Sequence, residues 1–381
     1  MGLDSRKKMF IITTVPDALI FFQGQISYLS KEFNITLVSS AGDKLVKKAK
    51  EHGVNYHSIE MKREISVFND LLSLFKLLFF FFKEKPDIVH GNTPKASFLS
   101  MIASYIVGVK TRIYYIHGLR YEGEKGIKRK VLMFIEKIST FLATNIFVVS
   151  NGLVNELKKN KITRKKVSVI GNGSINGINS DFFDPSIVQS NLQREELLLK
   201  NTDFVFGFVG RLVGDKGINE LVTAFSRIQE EFVNAKLLLI GRYEEHLNPI
   251  KPEIKKEIEE NSSIFFLGFK EDVRPYYKIM DLFVFPSYRE GFGVSLMEAG
   301  AMSIPSISSN ITGCNEIVKN NVNGFLIPAR DAKALYDKMK FCIENKEVMR
   351  KMKKNSRNVI VEAYEQKKHW EEVMKIYKII S

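Results

Sequence analysis

Blocks of apolar residues recur along the chain in two alternating lengths. Short runs rich in β-branched and aromatic residues, at 9–14, 35–39, 56–59, 87–90, 112–116, 145–149 and 167–170, read as strands, most of them buried. Between them, apolar residues three and four apart over 18–32, 44–52, 67–83, 95–107 and 127–143, with a further helix after Ser150, read as amphipathic helices. The pattern restarts with a strand at 204–210 and a helix at 217–231. Strands at 236–240, 264–267, 282–285, 306–308 and 324–327 follow with helices between them, and 332–380 reads as three helices. Strand-then-helix alternation predicts parallel sheets covered by helices, here two doubly wound α/β domains. Ligands of such sheets sit at the carboxyl ends of the strands. A polar stretch from Gly171 to about Asn201, containing Asp184-Pro185, separates the halves and sets the predicted domains at 1–171 and 172–365.

Length and composition agree with this division. The 381 residues suit two domains of about 190 each, and 45% hydrophobic with 26% charged residues is the make-up of a core-bearing chain. Cys314 and Cys342 lack metal-ligand spacing and no secretory signal precedes them, so reduced thiols and a cytoplasmic location are expected. The net charge of +14 is uneven: residues 1–170 hold 28 basic and 14 acidic residues, whereas 171–381 hold 29 of each. The first half therefore faces an anionic partner, with a membrane surface, a diphosphate acceptor and nucleic acid as the classes to weigh. The longest apolar run, from Leu77 to Phe82 and back to Leu71 with one lysine, is too short for a bilayer, which needs about 20 residues. It reads as a core helix in preference to a membrane-dipping one, and no transmembrane segment is predicted.

The stretch from Pro286 to Ala301 carries the most chemistry. It follows the strand at 282–285, passes through Arg289-Glu290-Gly291-Phe292-Gly293 and enters a helix near Val294. Strand, glycine turn and helix aim backbone N–H groups and a positive helix end at an anion. Glu290 in the turn and Glu298 one turn into the helix are poor phosphate ligands but good acceptors for hydroxyls. A ligand with phosphates in the middle and polyols on both sides is a nucleotide sugar. In Gly210-Arg211-Leu212-Val213-Gly214-Asp215-Lys216-Gly217, Arg211 offers a planar fork of donors and Lys216 a mobile ammonium, a pair suited to a diphosphate. The spacing is not that of a Walker loop. In the first half, His117 follows the strand at 112–116, where a sugar would lie.

Glu290, seven intervening residues and Glu298, with Gly291-Phe292-Gly293 between, resemble the retaining glycosyltransferases of family four, which share the GT-B fold of two Rossmann-like domains facing a cleft. His90-Gly91-Asn92-Thr93-Pro94-Lys95, Arg120-Tyr121-Glu122, Gly173-Ser174-Ile175-Asn176-Gly177, Thr312-Gly313 and Asn323-Gly324-Phe325-Leu326-Ile327-Pro328 extend the resemblance over nearly the whole chain. Within that family the sequence is similar to bacterial enzymes that add sugars to lipid-linked capsule, O-antigen or glycan intermediates. The resemblance implies that Arg211 and Lys216 grip the diphosphate, that Glu290 touches the donor sugar beside Gly291, and that Glu298 accepts from the ribose. It implies phosphate contacts from the backbone around Phe292, Gly293 and Val294, and a base-binding edge at Leu267-Gly268-Phe269. It also places His117 near the donor sugar and the scissile bond. Gly24, after Gln23, stands where the family has a glycine loop against the donor phosphates, although that loop is usually richer in glycine. The last helix, 366–381, would pack back on the first domain. Thr93, Lys95 and Arg120 become candidates for holding an acceptor pyrophosphate.

The expected reaction is transfer of a hexosyl or N-acetylhexosaminyl group from a UDP-sugar, with retention, to a polyprenyl-diphosphate-linked saccharide. The basic first domain would meet an anionic membrane surface at the inner face of the cell membrane. No Gly-x-Gly-x-x-Gly follows the first strand and no Asp-x-Asp or His/Cys cluster occurs, so neither a dinucleotide cofactor nor a metal is expected. A GT-B-like UDP-sugar epimerase is the alternative enzyme. A nonenzymatic polyanion binder is the alternative binding protein; it explains the charge but not the neutral second half with its acid pair, so nucleic acid is not expected as a partner.

Overall fold

Seven of the short apolar runs assemble into one parallel sheet. The computed structural model describes residues 5–64, 66–189, 191–244 and 248–381, without the side chains of Asn191 and Leu192. In the first half the strands are β1 (Lys7–Ile12), β2 (Phe33–Ser39), β3 (Asn55–Ser58), β4 (Ile88–Gly91), β5 (Thr111–Ile116), β6 (Asn145–Val148) and β7 (Val167–Val169), in the order β3-β2-β1-β4-β5-β6-β7. The central strands are buried on both faces, as in β4, whose four residues are all inside, while the edge strand β3 is exposed throughout. The connecting helices are α1 (Gln25–Leu29), α2 (Asp43–His52), α3 (Val67–Glu84), α4 (Pro94–Val107), α5 (Gly126–Leu142) and α6 (Asn151–Lys159).

The second half repeats the plan with α7 (Asn191–Glu196), β8 (Phe204–Val209), α8 (Ile218–Glu231), β9 (Ala235–Ile240), α9 (Pro252–Glu260), β10 (Ile264–Gly268), α10 (Arg274–Ile279), β11 (Leu282–Phe285), α11 (Val294–Ala301), β12 (Ser306–Ser309), β13 (Gly324–Ile327), α12 (Ala332–Glu344) and α13 (Lys346–Tyr364). Its parallel sheet runs β10-β9-β8-β11-β12-β13. The final helix, α14 (Gln366–Ile380), belongs to the first unit, which comprises residues 1–177 and 366–381; the second unit is 178–365. By this division the first unit holds 32 basic and 16 acidic residues and the second 25 and 27.

Two expectations need correction. The helix predicted over 18–32 is broken: a 3-10 stretch, Pro16–Phe22, is followed by the short α1, and the break falls at Gly24 with φ +79°. A Cβ on Gly24 would lie 2.5 Å from the Trp370 ring of α14, so close packing fixes a glycine there. The run from Leu71 to Phe82 is not a fully buried core helix either. Within α3 only Ser73, Leu77, Phe80 and Phe81 are buried, and the other face of the helix is apolar and exposed. No helix among the described residues is long and apolar enough to cross a membrane.

Candidate functional site

In both sheets the strand order reverses beside the first strand, between β1 and β4 and between β8 and β11. The loops leaving two such neighbours at their carboxyl ends diverge and open a crevice, the usual ligand position in this architecture. In the second unit those loops carry Lys216 and Glu290. After β8 the chain makes a 3-10 turn at Gly214–Lys216 and ends it on Gly217 in the left-handed region, φ +73°. A Cβ on Gly217 would sit 2.1 Å from the Pro286 carbonyl oxygen, so only glycine lets the β8 loop approach the end of β11. The approach is fastened by the Tyr288 N–H donating to the Asp215 carbonyl at 2.8 Å and by Arg289 pairing with Asp215 at 2.7 Å. Lys216 thereby donates to Glu290 Oε1, with the two side chains only 16% and 12% exposed, and its ammonium lies 5.2 Å from the centre of the Phe285 ring. Arg211 is more open and pairs with Glu244 at 2.8 Å.

The turn before α11 is backed by a second loop. Gly313, at φ +75°, accepts the Gly293 N–H at 3.0 Å, and a Cβ on it would strike the Gly291 carbonyl at 2.4 Å. The Val294 N–H is turned to the Phe292 carbonyl. Of the three backbone positions expected at the anion corner, Gly293 and Val294 thus have their amides engaged within the protein, and a phosphate there would compete with those bonds. Glu298 accepts from the Tyr277 hydroxyl at 2.9 Å, and burial pushes its carboxyl up to about 7. At the end of β10, Gly268 adopts φ +64° and leaves Phe269 exposed with the Arg242 guanidinium 4.4 Å from its ring centre. That cation–ring pair is an exposed platform at the carboxyl end of the sheet.

In the first unit the reversal point lies between the loops after β1 and β4, and it is closed by threonines. The Thr14 and Thr93 hydroxyls share a hydrogen bond of 2.7 Å, and the Thr14 N–H donates to Thr93 Oγ1 at 2.9 Å. Lys95 pairs with Asp70 at 2.7 Å and also donates to the Glu64 carbonyl, so Thr93 and Lys95 are committed to bonds within the unit. Arg120 is exposed at the start of a short 3-10 turn. His117 follows β5 and is ringed by Phe21, Phe22 and Tyr115 at 5.4–6.1 Å, with its Nε2 buried and lacking a hydrogen-bond partner. Burial, with His90 nearby, pushes its pKa down to about 3, so the ring is neutral near pH 7 and keeps one unused polar nitrogen. Gly24 is packed under Trp370, whose Nε1 donates to Asn176 at 2.7 Å.

Sequence reasoning did not single out Asp215, Arg242, Glu244 or Tyr277. Position after a strand could have raised Arg242 and Glu244, which follow β9 at its carboxyl end; nothing in the sequence connects Tyr277 to Glu298. Among the described residues no three His, Cys, Asp or Glu side chains converge as a metal site would require.

Two family models match the chain in succession: "Glycosyltransferase Family 4" over residues 25–174 and "Glycosyl transferases group 1" over 189–359. The chain is 36% identical over 373 residues to the capsular polysaccharide biosynthesis glycosyltransferase CapM of Staphylococcus aureus, covering 97% of each protein. It is 29% identical over 356 residues to the UDP-Gal:alpha-D-GlcNAc-diphosphoundecaprenol alpha-1,3-galactosyltransferase of Escherichia coli, covering 91% of this chain and 89% of that one. In fold it is similar to the Anabaena protein HepE solved in complex with UDP, with a TM-score of 0.81 at 18% identity over 98% of this chain and all of that one.

Proposed function

The chain belongs to the family-four glycosyltransferases of GT-B fold, and we propose that it moves a hexosyl or N-acetylhexosaminyl group from a UDP-sugar, with retention, onto a polyprenyl-diphosphate-linked saccharide in surface polysaccharide synthesis. The observation that carries this reading is the Lys216–Glu290 pair at the carboxyl ends of β8 and β11, beside the start of α11. A cation and an acid held together in a crevice are preset for a ligand with charge and hydroxyls side by side. On binding, Lys216 turns from Glu290 toward the diphosphate, and Arg211 exchanges Glu244 for the same group. Glu290 is then left to accept from a sugar hydroxyl, Glu298 from the ribose, and the Arg242–Phe269 platform receives the base.

The bond from the anomeric carbon to the phosphate oxygen breaks, and the acceptor hydroxyl oxygen bonds to that carbon on the same face. The acceptor proton passes to a phosphate oxygen of the departing UDP. Negative charge grows on UDP as the bond breaks, and Arg211, Lys216 and the positive end of α11 stabilise it. His117, neutral near pH 7, adds no positive charge that would oppose the cationic character growing on the sugar ring. The basic first unit suits work at the anionic inner face of the cell membrane, where such acceptors reside. The names of the E. coli and Staphylococcus relatives support the acceptor class and the pathway, and the UDP complex of HepE supports the nucleotide.

The test is a panel of nucleotide sugars screened for thermal stabilisation, followed by NMR of the product's anomeric linkage. UDP and one UDP-sugar should raise the melting temperature, and the new glycosidic bond should keep the donor's configuration. Stabilisation by no nucleotide, or epimerisation of the donor with no acceptor present, would remove the reading.

A further inference from the structure

The exposed face of α3 has a composition that a water-facing helix does not have. Nine of its positions are exposed, and seven of them are Val67, Phe68, Leu71, Leu72, Phe75, Phe79 and Phe82; the other two are Lys76 and Lys83. At 3.6 residues per turn the seven apolar positions fall in one stripe about 140° wide, opposite the buried stripe of Ser73, Leu77, Phe80 and Phe81, with both lysines along one border. Phe75 and Phe79 are 66% and 72% exposed. α3 packs against α4, and α4 against α5. Both neighbours continue the theme, α4 with exposed Tyr105 and Ile106, α5 with Ile127, Val131, Phe134 and Phe141 in line and Lys130 and Lys137 beside them. Apolar exposure on this scale marks a surface that meets something other than water.

We infer that the α3–α5 layer is the membrane-docking face of the first unit, with its aromatic stripes entering the boundary between headgroups and acyl chains of an anionic bilayer and its lysine rows meeting the headgroups. Charge complementarity identifies the occupant. Lys76, Lys83, Lys130 and Lys137 lack an acidic partner among the described residues, no acid is exposed within either stripe, and the unit carries 16 more basic than acidic residues. Where α5 ends, Lys137, Phe141, Lys161 and Arg164 line a hollow of about 540 Å³, a cation-rimmed apolar niche of the kind that fits an anionic lipid headgroup. The stripe runs the full length of α3, from Val67 near the carboxyl edge of the sheet to Phe82 near its amino edge, so the helix lies in the interface plane and does not cross it. This deepens the proposed function in that a membrane-borne acceptor needs an enzyme so placed, but docking is measurable without donor or acceptor.

The test is cosedimentation of the full chain with phosphatidylcholine vesicles containing or lacking phosphatidylglycerol, comparing wild type with Phe75→Gln/Phe79→Gln and with Lys130→Gln/Lys137→Gln. Wild type should bind the anionic vesicles. The aromatic pair should lower partitioning about tenfold or more, and the lysine pair should lower it by about fivefold per lysine on anionic vesicles only. Circular dichroism and UDP binding by the second unit should stay at wild-type values in both variants, which separates this outcome from failure of the donor reading. Wild type that ignores anionic vesicles, or an aromatic variant that binds them as tightly as wild type, would overturn the inference. So would a wild-type dimer that the aromatic substitutions dissociate without altering vesicle binding, since the face would then belong to a second copy of the chain.

Discussion

Replacing Glu290 by Gln separates binding from turnover. In the free protein Glu290 neutralises Lys216, and both side chains are largely withdrawn from water. In the proposed complex with UDP the carboxylate is a negative charge close to a second negative group and a competitor for the same ammonium. A unit charge about 5 Å from a phosphate charge is worth about 0.8 kcal/mol in water and about 3 kcal/mol at an effective dielectric of about 20. A crevice that is partly open lies between these limits, near 1.4 kcal/mol, so Glu290→Gln should bind UDP about tenfold more tightly. Turnover should move the other way. If the carboxylate accepts from the sugar more strongly as the ring gains positive character, its loss lowers kcat by at least about two powers of ten, or roughly 2.7 kcal/mol. Lys216→Ala is the companion variant and should weaken UDP binding as well as turnover. Isothermal titration with UDP and single-turnover kinetics with the UDP-sugar give the two numbers. Unchanged or weaker UDP binding by a folded Glu290→Gln protein, or near-normal turnover, would refute the assignment of this pair.

Three further outcomes follow from geometry described above. Gly217→Ala should cost about 2–4 kcal/mol in urea unfolding, because a left-handed backbone and a carbonyl at 2.1 Å oppose the new methyl, whereas Gly53→Ala, left-handed but in open space, should cost about 1–2 kcal/mol. Burial raises the Glu298 carboxyl to about 7 from its ordinary 4.5, so the folded state holds more protons between those values and stability falls as pH rises through that window. Glu298→Gln removes this component, and its melting temperature relative to wild type should therefore climb from pH 5 to pH 8 in differential scanning calorimetry. His117, held near 3, should contribute no break to the kcat/KM profile between pH 5 and 8; a break near 6.5 that disappears in His117→Gln would show that water reaches the ring.

The sheets were legible because buried strands such as 282–285 are short apolar runs, and their alternation with helices leaves few topologies. Lys216, Glu290 and Glu298 were legible for a related reason: a strand, a glycine turn and a helix in series fix where a side chain emerges whatever lies around it. What depends on distant partners was not. The glycine at the break, Gly24, packs against Trp370 from the far end of the chain, and the tie between Tyr277 and Glu298 joins two helices whose sequences carry no sign of it. The solvent-facing side of α3 was misread because periodicity reports that a face is apolar and cannot report whether protein covers it. Charge was equally silent on Lys95, whose partner Asp70 lies on another helix.

The return of α14 to the first unit bears on how the polypeptide is made. Tyr377 shares a hydrogen bond of 2.5 Å with buried His90, and the Ile380 carbonyl accepts from Thr111 at 3.0 Å, so strands translated early are finished by residues translated last. A nascent chain that has released everything up to Glu365 can complete the second unit but must leave the earlier one unsealed, with part of its aromatic interior bare until termination. Loss of the last 16 residues, by nonsense mutation or proteolysis, would consequently damage the half of the enzyme made first and spare the half made just before the cut.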